Sequence, residues 1–380
     1  MNQIDLALFC AEGLAPFLRK ELSLHHRHGT TISPSCVVLR DCPMSEIAYL
    51  NHYIRTCESV GLVLFETQLS SLDQLRDQLL EVEFSRFFAN DRVFAVKGFR
   101  FGDHPFISVD LARATASGMS RSLLRDKIVA KANLRNPDID FHAWLFQDQY
   151  ILTLNTTGIF QSESMQLPFQ HQAPIQRTIA AALVLESQYF THKRFFDPMC
   201  GGGTVGIEAL ALEQQLSLDR FRSQDFAYKN HHYATEIPGK PESQWTKPGK
   251  MRDESLILAD SSRNKVKGAI ENLQYFGLKS EFRLYRGNAI KMSYLADDRD
   301  IPSIITNPPY GIRVKNPKDV DILYQEFARA AKDRNVQEIV AITPRKRAWI
   351  AALEDVGYEI SLIQPVDFGG LPTSIMKAKK

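Results

Sequence analysis

The sequence predicts an α/β protein. Its second half is expected to form a doubly wound, mostly parallel sheet of seven strands, preceded by an α+β region. Three observations predict this. Strand-like and helix-like runs alternate from residue 175 onward, and a glycine-rich turn joins the first of these strands to its helix. The chain, 380 residues long and 44% hydrophobic, has room and apolar content for two or three domains with real cores. That composition excludes a disordered tail, a collagen-like fibre and a disulfide mini-scaffold.

In the first half, Ile4, Leu6 and Leu8 alternate as in a half-buried strand, and Leu14, Phe17, Leu18 and Leu22 recur at helical spacing. Residues 37–39 read as a short strand. Tyr49, Leu50, Tyr53 and Ile54 mark a second helix, and 60–65 a buried strand. This β-α-β-α-β order predicts a small ferredoxin-like domain over 1–67. Leu72, Leu75 and Leu79 then mark a helix and 93–96 a strand. Val109, Ala112, Ala116, Met119 and Leu123 form one face of a longer helix, and strands at 141–145 and 150–155 close a second domain over 68–158. A Ser/Gln/Pro-bearing stretch, 159–174, reads as a linker.

From 175 to 380, strands are expected at 195–197, 256–260, 282–285, 303–306, 338–342 and 360–363. Helices at 175–185, 205–212, 263–276, 320–331 and 346–353 alternate with them. A last strand near 374–377, after Gly369-Gly370-Leu371-Pro372, is expected to return antiparallel beside its predecessor. The polar stretch at about 213–255 is too long for an ordinary connection and reads as an insertion placed to cover the site.

No apolar run approaches the roughly 20 residues that cross a bilayer. The first residues carry no basic stretch ahead of an apolar one, so neither a membrane span nor a signal peptide is expected. Five cysteines, Cys10, Cys36, Cys42, Cys57 and Cys200, form no Cys-x-x-Cys pair, which speaks against zinc and disulfides and for a cytoplasmic protein. His25, His26, Arg27 and His28 lack spaced carboxylate or cysteine partners and read as a solvated helix end. His231 and His232 read the same way, so no metal site is expected. The net charge of +2 says little, but its distribution says more. Arg86 to Arg135 holds ten Lys or Arg against four Asp, so this segment is +6 on an otherwise slightly acidic chain. Its helix and the turn beyond it present Arg113, Arg121, Arg125, Lys127 and Lys131 as a candidate RNA-binding face, with Arg121 and Arg125 one helical turn apart. Phe87, Phe88, Phe94, Phe99, Phe101 and Phe106 lie among these charges and are expected mostly in the core.

Two motifs carry chemistry. In Phe196-Asp197-Pro198-Met199-Cys200-Gly201-Gly202-Gly203-Thr204 a strand ends at Asp197, glycines turn the chain, and a helix begins near Thr204. Glycines let a ligand touch the backbone, and the helix start offers free N–H groups to an anion. Gly201, Gly203 and Gly206 also spell the dinucleotide pattern, but the acid expected about 20 residues on is missing. Asp260 closes the next strand, where an acid can accept from both ribose hydroxyls, and Gly287-Asn288-Ala289 ends the third, in reach of an adenine ring. Cys200 has no base in evidence and reads as a packing residue rather than a nucleophile.

The second motif is Ile304-Ile305-Thr306-Asn307-Pro308-Pro309-Tyr310-Gly311. The Asn307 side-chain oxygen and the Pro308 carbonyl can both accept from an exocyclic amine, while Tyr310 lies flat on the ring that carries it. Such an amine is a poor nucleophile because its lone pair is delocalised. Two acceptors on its hydrogens favour the pyramidal, attacking form.

Asp-Pro-Met-Cys-Gly-Gly-Gly-Thr followed by Asn-Pro-Pro-Tyr-Gly-Ile-Arg resembles the S-adenosylmethionine-dependent RNA guanine-N2 methyltransferases that carry an N-terminal THUMP domain. The resemblance covers most of the chain, including His171-Gln172-Ala173-Pro174-Ile175. It is closest to enzymes acting on guanosine 6 of tRNA, in the acceptor stem, and extends to those acting on 23S rRNA. It implies a Rossmann-like class I methyltransferase domain over 175–380, a THUMP RNA-binding domain over 68–158, and a monomer. By that resemblance Asp197, Gly201 and Gly203 hold the methionine part of the cofactor, Asp260 its ribose and Asn288 its adenine. Pro198, Cys200, Thr204, Ser261, Ala289 and Asn307 complete the cofactor contacts. Asn307, Pro308, Pro309 and Tyr310 position the guanine. Two departures stand out: Asn288 replaces a usual Asp, and the linker at 160–169 is Gln/Ser/Glu rather than Arg-rich.

Asn-Pro-Pro-Tyr also serves DNA adenine-N6 and protein glutamine methyltransferases, which do not need the long N-terminal extension. A non-catalytic RNA-binding protein and a nicotinamide oxidoreductase are the remaining alternatives.

Overall fold

Strands of the first half of the chain build one sheet. They are β1 (Ile4–Phe9), β2 (Thr30–Ser33), β3 (Cys36–Cys42), β4 (Ser59–Gln68), β5 (Val93–Phe101), β6 (Lys131–Ala132), β7 (Ile139–Phe146) and β8 (Gln149–Asn155). They lie in the order β2-β3-β1-β4-β8-β7-β5-β6. The computed structural model describes residues 3–88, 92–135, 137–170, 174–187, 194–231, 237, 239–245, 256–278, 282–295, 301–311 and 318–380. The chain divides into two compact units. One comprises Met1–Phe9, His28–Glu163 and Gln224–Glu242, and the other Cys10–Arg27, Ser164–Ser223 and Ser243–Lys380.

In the first unit β4 pairs with β8 through Gln68, so the stretches 1–67 and 68–158 share a single sheet. The first four strands lie in the order β2-β3-β1-β4 of a ferredoxin-like sheet, one strand more than the three read from the sequence. One face is held by an aromatic ladder. Phe9 stacks on Trp144 at 3.7 Å and Trp144 on Phe99 at 4.0 Å, while Phe101 stacks on Phe146 at 5.1 Å. Phe87, Phe88 and Phe94 are buried as well, so the phenylalanines of the basic segment mostly build core, as expected. Helices α2 (Ser45–Tyr53), α3 (Leu72–Leu80) and α4 (Ser108–Arg125) complete the unit. α4 buries Leu111, Ala114, Met119 and Leu123, and Gly118 lets it approach α3, where a Cβ would lie 2.8 Å from Leu79. The remaining helix of the first half, α1 (Ala15–Leu24), belongs to the second unit.

After the short α5 (Gln161–Ser164), at which the chain passes from the first unit to the second, come α6 (Arg177–Glu186), β9 (Phe195–Asp197), α7 (Thr204–Glu213), β10 (Leu256–Asp260), α8 (Arg263–Tyr275), β11 (Phe282–Arg286), β12 (Ser303–Thr306), α9 (Lys318–Asp333), β13 (Glu338–Thr343), α10 (Lys346–Glu354), β14 (Glu359–Phe368) and β15 (Leu371–Lys379). The sheet of the second unit has seven strands in the order β11-β10-β9-β12-β13-β15-β14. The first five are parallel, and β15 pairs antiparallel with both β13 and β14. β10 shows why these strands read as continuous apolar runs. Leu256 and Leu258 meet α7 at Gly206, while Ile257 and Ala259 join a core with Tyr324, Phe327 and Trp349 from α9 and α10. α6 and α7 share the Arg177–Glu208 ion pair, 3.0 Å long and fully buried. Removing one partner of such a pair costs about 3–5 kcal/mol.

Three expectations are corrected. β2 was not anticipated, because Thr30-Thr31-Ile32-Ser33 is a polar, partly exposed edge strand. β14 runs well beyond 360–363 because it forms a long hairpin with β15. His25 is buried against the Trp245 ring, 5.2 Å away, and His231 is 9% exposed, so neither is a solvated histidine; His232 lies outside the described residues. The described part of the 213–255 insertion runs to several partners. Arg220 donates to the Phe276 carbonyl, Gln215 to that of Trp245, and Tyr228 meets His52. Among the described residues no helix is long and apolar enough to cross a membrane.

Candidate functional site

Parallel strands end together, and here β9, β10 and β12 end at Asp197, Asp260 and Thr306. The register pairs Leu258 with Asp197 and Ile304 with Phe196, which brings the three ends to within two residues of one another. Asp197 is almost fully buried. Its Oδ1 accepts from the Met199 N–H at 3.1 Å and the Thr306 hydroxyl at 2.8 Å. Burial pushes its carboxyl up to about 7, and the nearby Asp260 adds to the rise, against those two hydrogen bonds.

The glycine turn is shaped from both sides. Gly201 and Gly203 have φ of +54° and +83°, a region open to glycine, and Gly203 caps α7. Among the described residues a Cβ at Gly201 would meet nothing within 4 Å, which leaves that rim of the turn open to a ligand. From behind, the buried Asn272 of α8 donates to the Gly202 carbonyl at 3.0 Å and grips the Phe169 backbone. In front, Asp260 accepts from the Gly201 N–H at 3.2 Å and the Ser262 N–H at 2.9 Å, with the Lys265 ammonium 3.6 Å away. Among the described residues the buried Tyr294 hydroxyl has no hydrogen-bond partner, and it feels the charges of Asp197 and Asp260. Orphan donor, open glycine rim and paired acids fit a cofactor with ribose hydroxyls and an ammonium group. Burial pushes the Cys200 thiol well up, so it stays protonated and serves as packing.

Pro198 and Thr204 flank the turn, Ser261 follows Asp260, and Ala289 is buried after β11. Asn288 is exposed, and its side-chain oxygen accepts from the Ile290 N–H at 3.0 Å. The amide N–H₂ is therefore what Asn288 has to offer an adenine, where an aspartate would offer acceptors.

At the end of β12 the Asn-Pro-Pro-Tyr turn departs from expectation in one respect. The Asn307 side-chain oxygen is not free: the Tyr310 hydroxyl donates to it at 2.7 Å. Burial pushes the Tyr310 phenol up, so it remains a donor at any ordinary pH. The ring thus leans over the acceptor that an incoming amine would use. Pro308 is buried and Pro309 exposed. The Pro309 carbonyl accepts from the Tyr324 hydroxyl at 2.8 Å, and the Phe368 ring stands edge-on to Tyr310 at 6.5 Å. Thr306, Asn272, Tyr324 and Phe368 were missed from the sequence, because each acts through a partner distant along the chain.

In the first unit Arg113, Arg121, Arg125, Lys127 and Lys131 are all exposed. Arg121 lies 3.6 Å from Asp77, and Arg125 pairs with Asp126 at 3.0 Å and Glu81 at 3.9 Å. The face shared by those two arginines is therefore mixed in sign, a correction to a purely basic one. Arg113 is only loosely paired, 4.0 Å from Asp110.

A parallel sheet whose last strand slips back antiparallel between two neighbours, with a glycine turn after the first of its parallel strands, defines a class I methyltransferase. Residues 166–371 match the family model of the RMKL-like methyltransferase domain, UPF0020, and residues 70–155 that of the THUMP domain. The chain belongs to this RMKL-like methyltransferase family. Two curated relatives carry the name tRNA (guanine(6)-N2)-methyltransferase. The one from Methanocaldococcus jannaschii is 27% identical over 87% of this chain and 87% of its own. The one from Archaeoglobus fulgidus is 29% identical over 87% of this chain and 81% of its own. Among solved structures, the methyltransferase SMU.472 in complex with SAH superposes with a TM-score of 0.75 at 20% identity, over 99% of this chain and 98% of that one.

Proposed function

We propose that the protein transfers a methyl group from S-adenosylmethionine to the exocyclic N2 of a guanosine in tRNA, at position 6 of the acceptor stem. The observation that carries this reading is the 2.8 Å bond from Thr306 to Asp197, which ties the Asn-Pro-Pro-Tyr turn to the glycine turn. An amine acceptor and a cofactor cradle thereby share one edge of the sheet. The names of the archaeal relatives support guanine and tRNA as the substrate.

S-adenosylmethionine supplies the methyl group as part of a sulfonium, an electrophilic carbon. Asp197 would hold its ammonium, Asp260 its ribose, and the Gly201–Gly203 backbone its carboxylate. The Asn307 oxygen and the Pro308 carbonyl accept from the guanine N2 hydrogens once the Tyr310 hydroxyl has left, and the Tyr310 ring stacks on the base. Orientation of this kind contributes on the order of 7–11 kcal/mol. Residues 68–158 hold the RNA, with Arg113, Lys127 and Lys131 as phosphate contacts.

Asn307→Ala is expected to abolish methyl transfer while S-adenosylmethionine binding survives. Nucleoside mass spectrometry of tRNA incubated with each protein, beside calorimetry with the cofactor, checks both halves. An active variant sinks the assignment.

A further inference from the structure

One strand further along the sheet, three consecutive cations follow the base turn. β13 ends at Thr343 and α10 starts at Lys346, so Arg345 closes that connection while Lys346 and Arg347 open the helix. It is tied to the turn through one side chain. The Tyr324 hydroxyl donates to the Pro309 carbonyl at 2.8 Å and lies 3.0 Å from Thr343 Oγ1, which accepts the Arg345 N–H at 3.1 Å. Arg345 is neutralised by Asp321, 2.6 Å away. Lys346 and Arg347 are exposed and, among the described residues, have no carboxylate within ion-pair distance. The core takes Trp349, Ala352 and Leu353 from α10, which leaves these two cations of its first turn to solvent.

A guanosine that reaches the turn leaves its stack at a cost of a few kcal/mol. The base enters, but the phosphates on either side of it stay at the rim, where β12 and β13 end. Cations carried there by α10 offset part of that cost without touching the base. We propose that Lys346 and Arg347 hold the RNA phosphates that flank the target guanosine. This rests on the reading of 307–310 as the base-binding turn and adds what grips the backbone beside it.

The test is the double variant Lys346→Glu with Arg347→Glu. Its affinity for a short single-stranded oligonucleotide and for tRNA is measured at several salt concentrations, together with methylation and cofactor affinity. RNA affinity is expected to fall at least tenfold. Its logarithmic salt slope should become shallower by about 1.4, at roughly 0.7 per phosphate released on a single strand. Cofactor affinity should be unchanged, and Lys346→Arg with Arg347→Lys should behave as the parent. An unchanged RNA affinity and slope, or an equal loss of cofactor affinity, would overturn the clamp. A parent that methylates no guanine N2, while charge reversal still weakens RNA binding, overturns the proposed reaction and leaves the clamp standing.

Discussion

The Asp197 carboxyl is 1% exposed at the end of β9, and burial holds its pKa at about 7 where an open aspartate stands at 3.8. A carboxyl raised in the folded state contributes stability that is full below the unfolded value and lost as pH rises through the folded one. Ionised Asp197 therefore burdens the fold above pH 7, by on the order of 4 kcal/mol for a shift of that size. The same ionisation is what an ammonium ligand needs. S-adenosylmethionine affinity is expected to weaken by up to tenfold per pH unit below about 7. Asp197→Asn should bind weakly at every pH yet unfold at a higher temperature than the parent at pH 8. Calorimetry and thermal melts across pH 5 to 9 check this, and a parent whose affinity ignores pH would refute it. Tyr310 shows a related economy. Its hydroxyl satisfies Asn307 at rest, so a group that displaces it has to bring a hydrogen-bond donor of its own.

At the scale of elements, the β14–β15 hairpin carries Phe368 to Tyr310 and is strapped by the segment before α1. The Asp367 N–H donates to the Glu12 carbonyl at 2.9 Å. Gly13 packs so closely that a Cβ would lie 1.9 Å from the Pro365 oxygen, at a φ of +91°. Gly13→Ala is therefore expected to destabilise the protein by roughly 2–4 kcal/mol. Denaturant titration measures it, and a variant as stable as the parent would show that the strap yields freely. The strands that build the site were legible because burial on both faces makes them apolar runs with a polar residue where the sheet stops: Asp197, Asp260, Thr306. Glycine and proline turns were legible because their backbone demands are local. Thr30–Ser33 was not, since an exposed edge strand has no apolar face to announce it. Nor were Thr306 on Asp197, Asn272 on Gly202 or Tyr324 on Pro309, because spacing along a chain does not encode which strand ends become neighbours.

On the scale of the whole molecule, the two compact units do not follow the chain in sequence. Cys10–Arg27 belongs to the second unit, where Lys20 meets Glu186 at 3.0 Å and α1 packs on α6, while Gln224–Glu242 belongs to the first. Glu186 is in turn bound by Lys377, which reaches Glu338 at 3.1 Å, so α1 joins a charged network that spans α6, β13 and β15. A fragment of residues 164–380 lacks that helix. It is expected to lose its cooperative thermal transition, and placing residues 10–27 ahead of it should restore one. Circular dichroism melts of the two fragments decide, and a sharp transition in the shorter one would contradict the arrangement.

This exchange of segments also bears on biosynthesis. As the chain leaves the ribosome, residues 10–27 emerge with an apolar helix face whose docking site, beginning past Ser164, has not yet been translated. The nascent protein has to keep Phe17, Leu18 and Leu22 from wrong partners until then. Docking of α1 can therefore begin only after those later residues have been made.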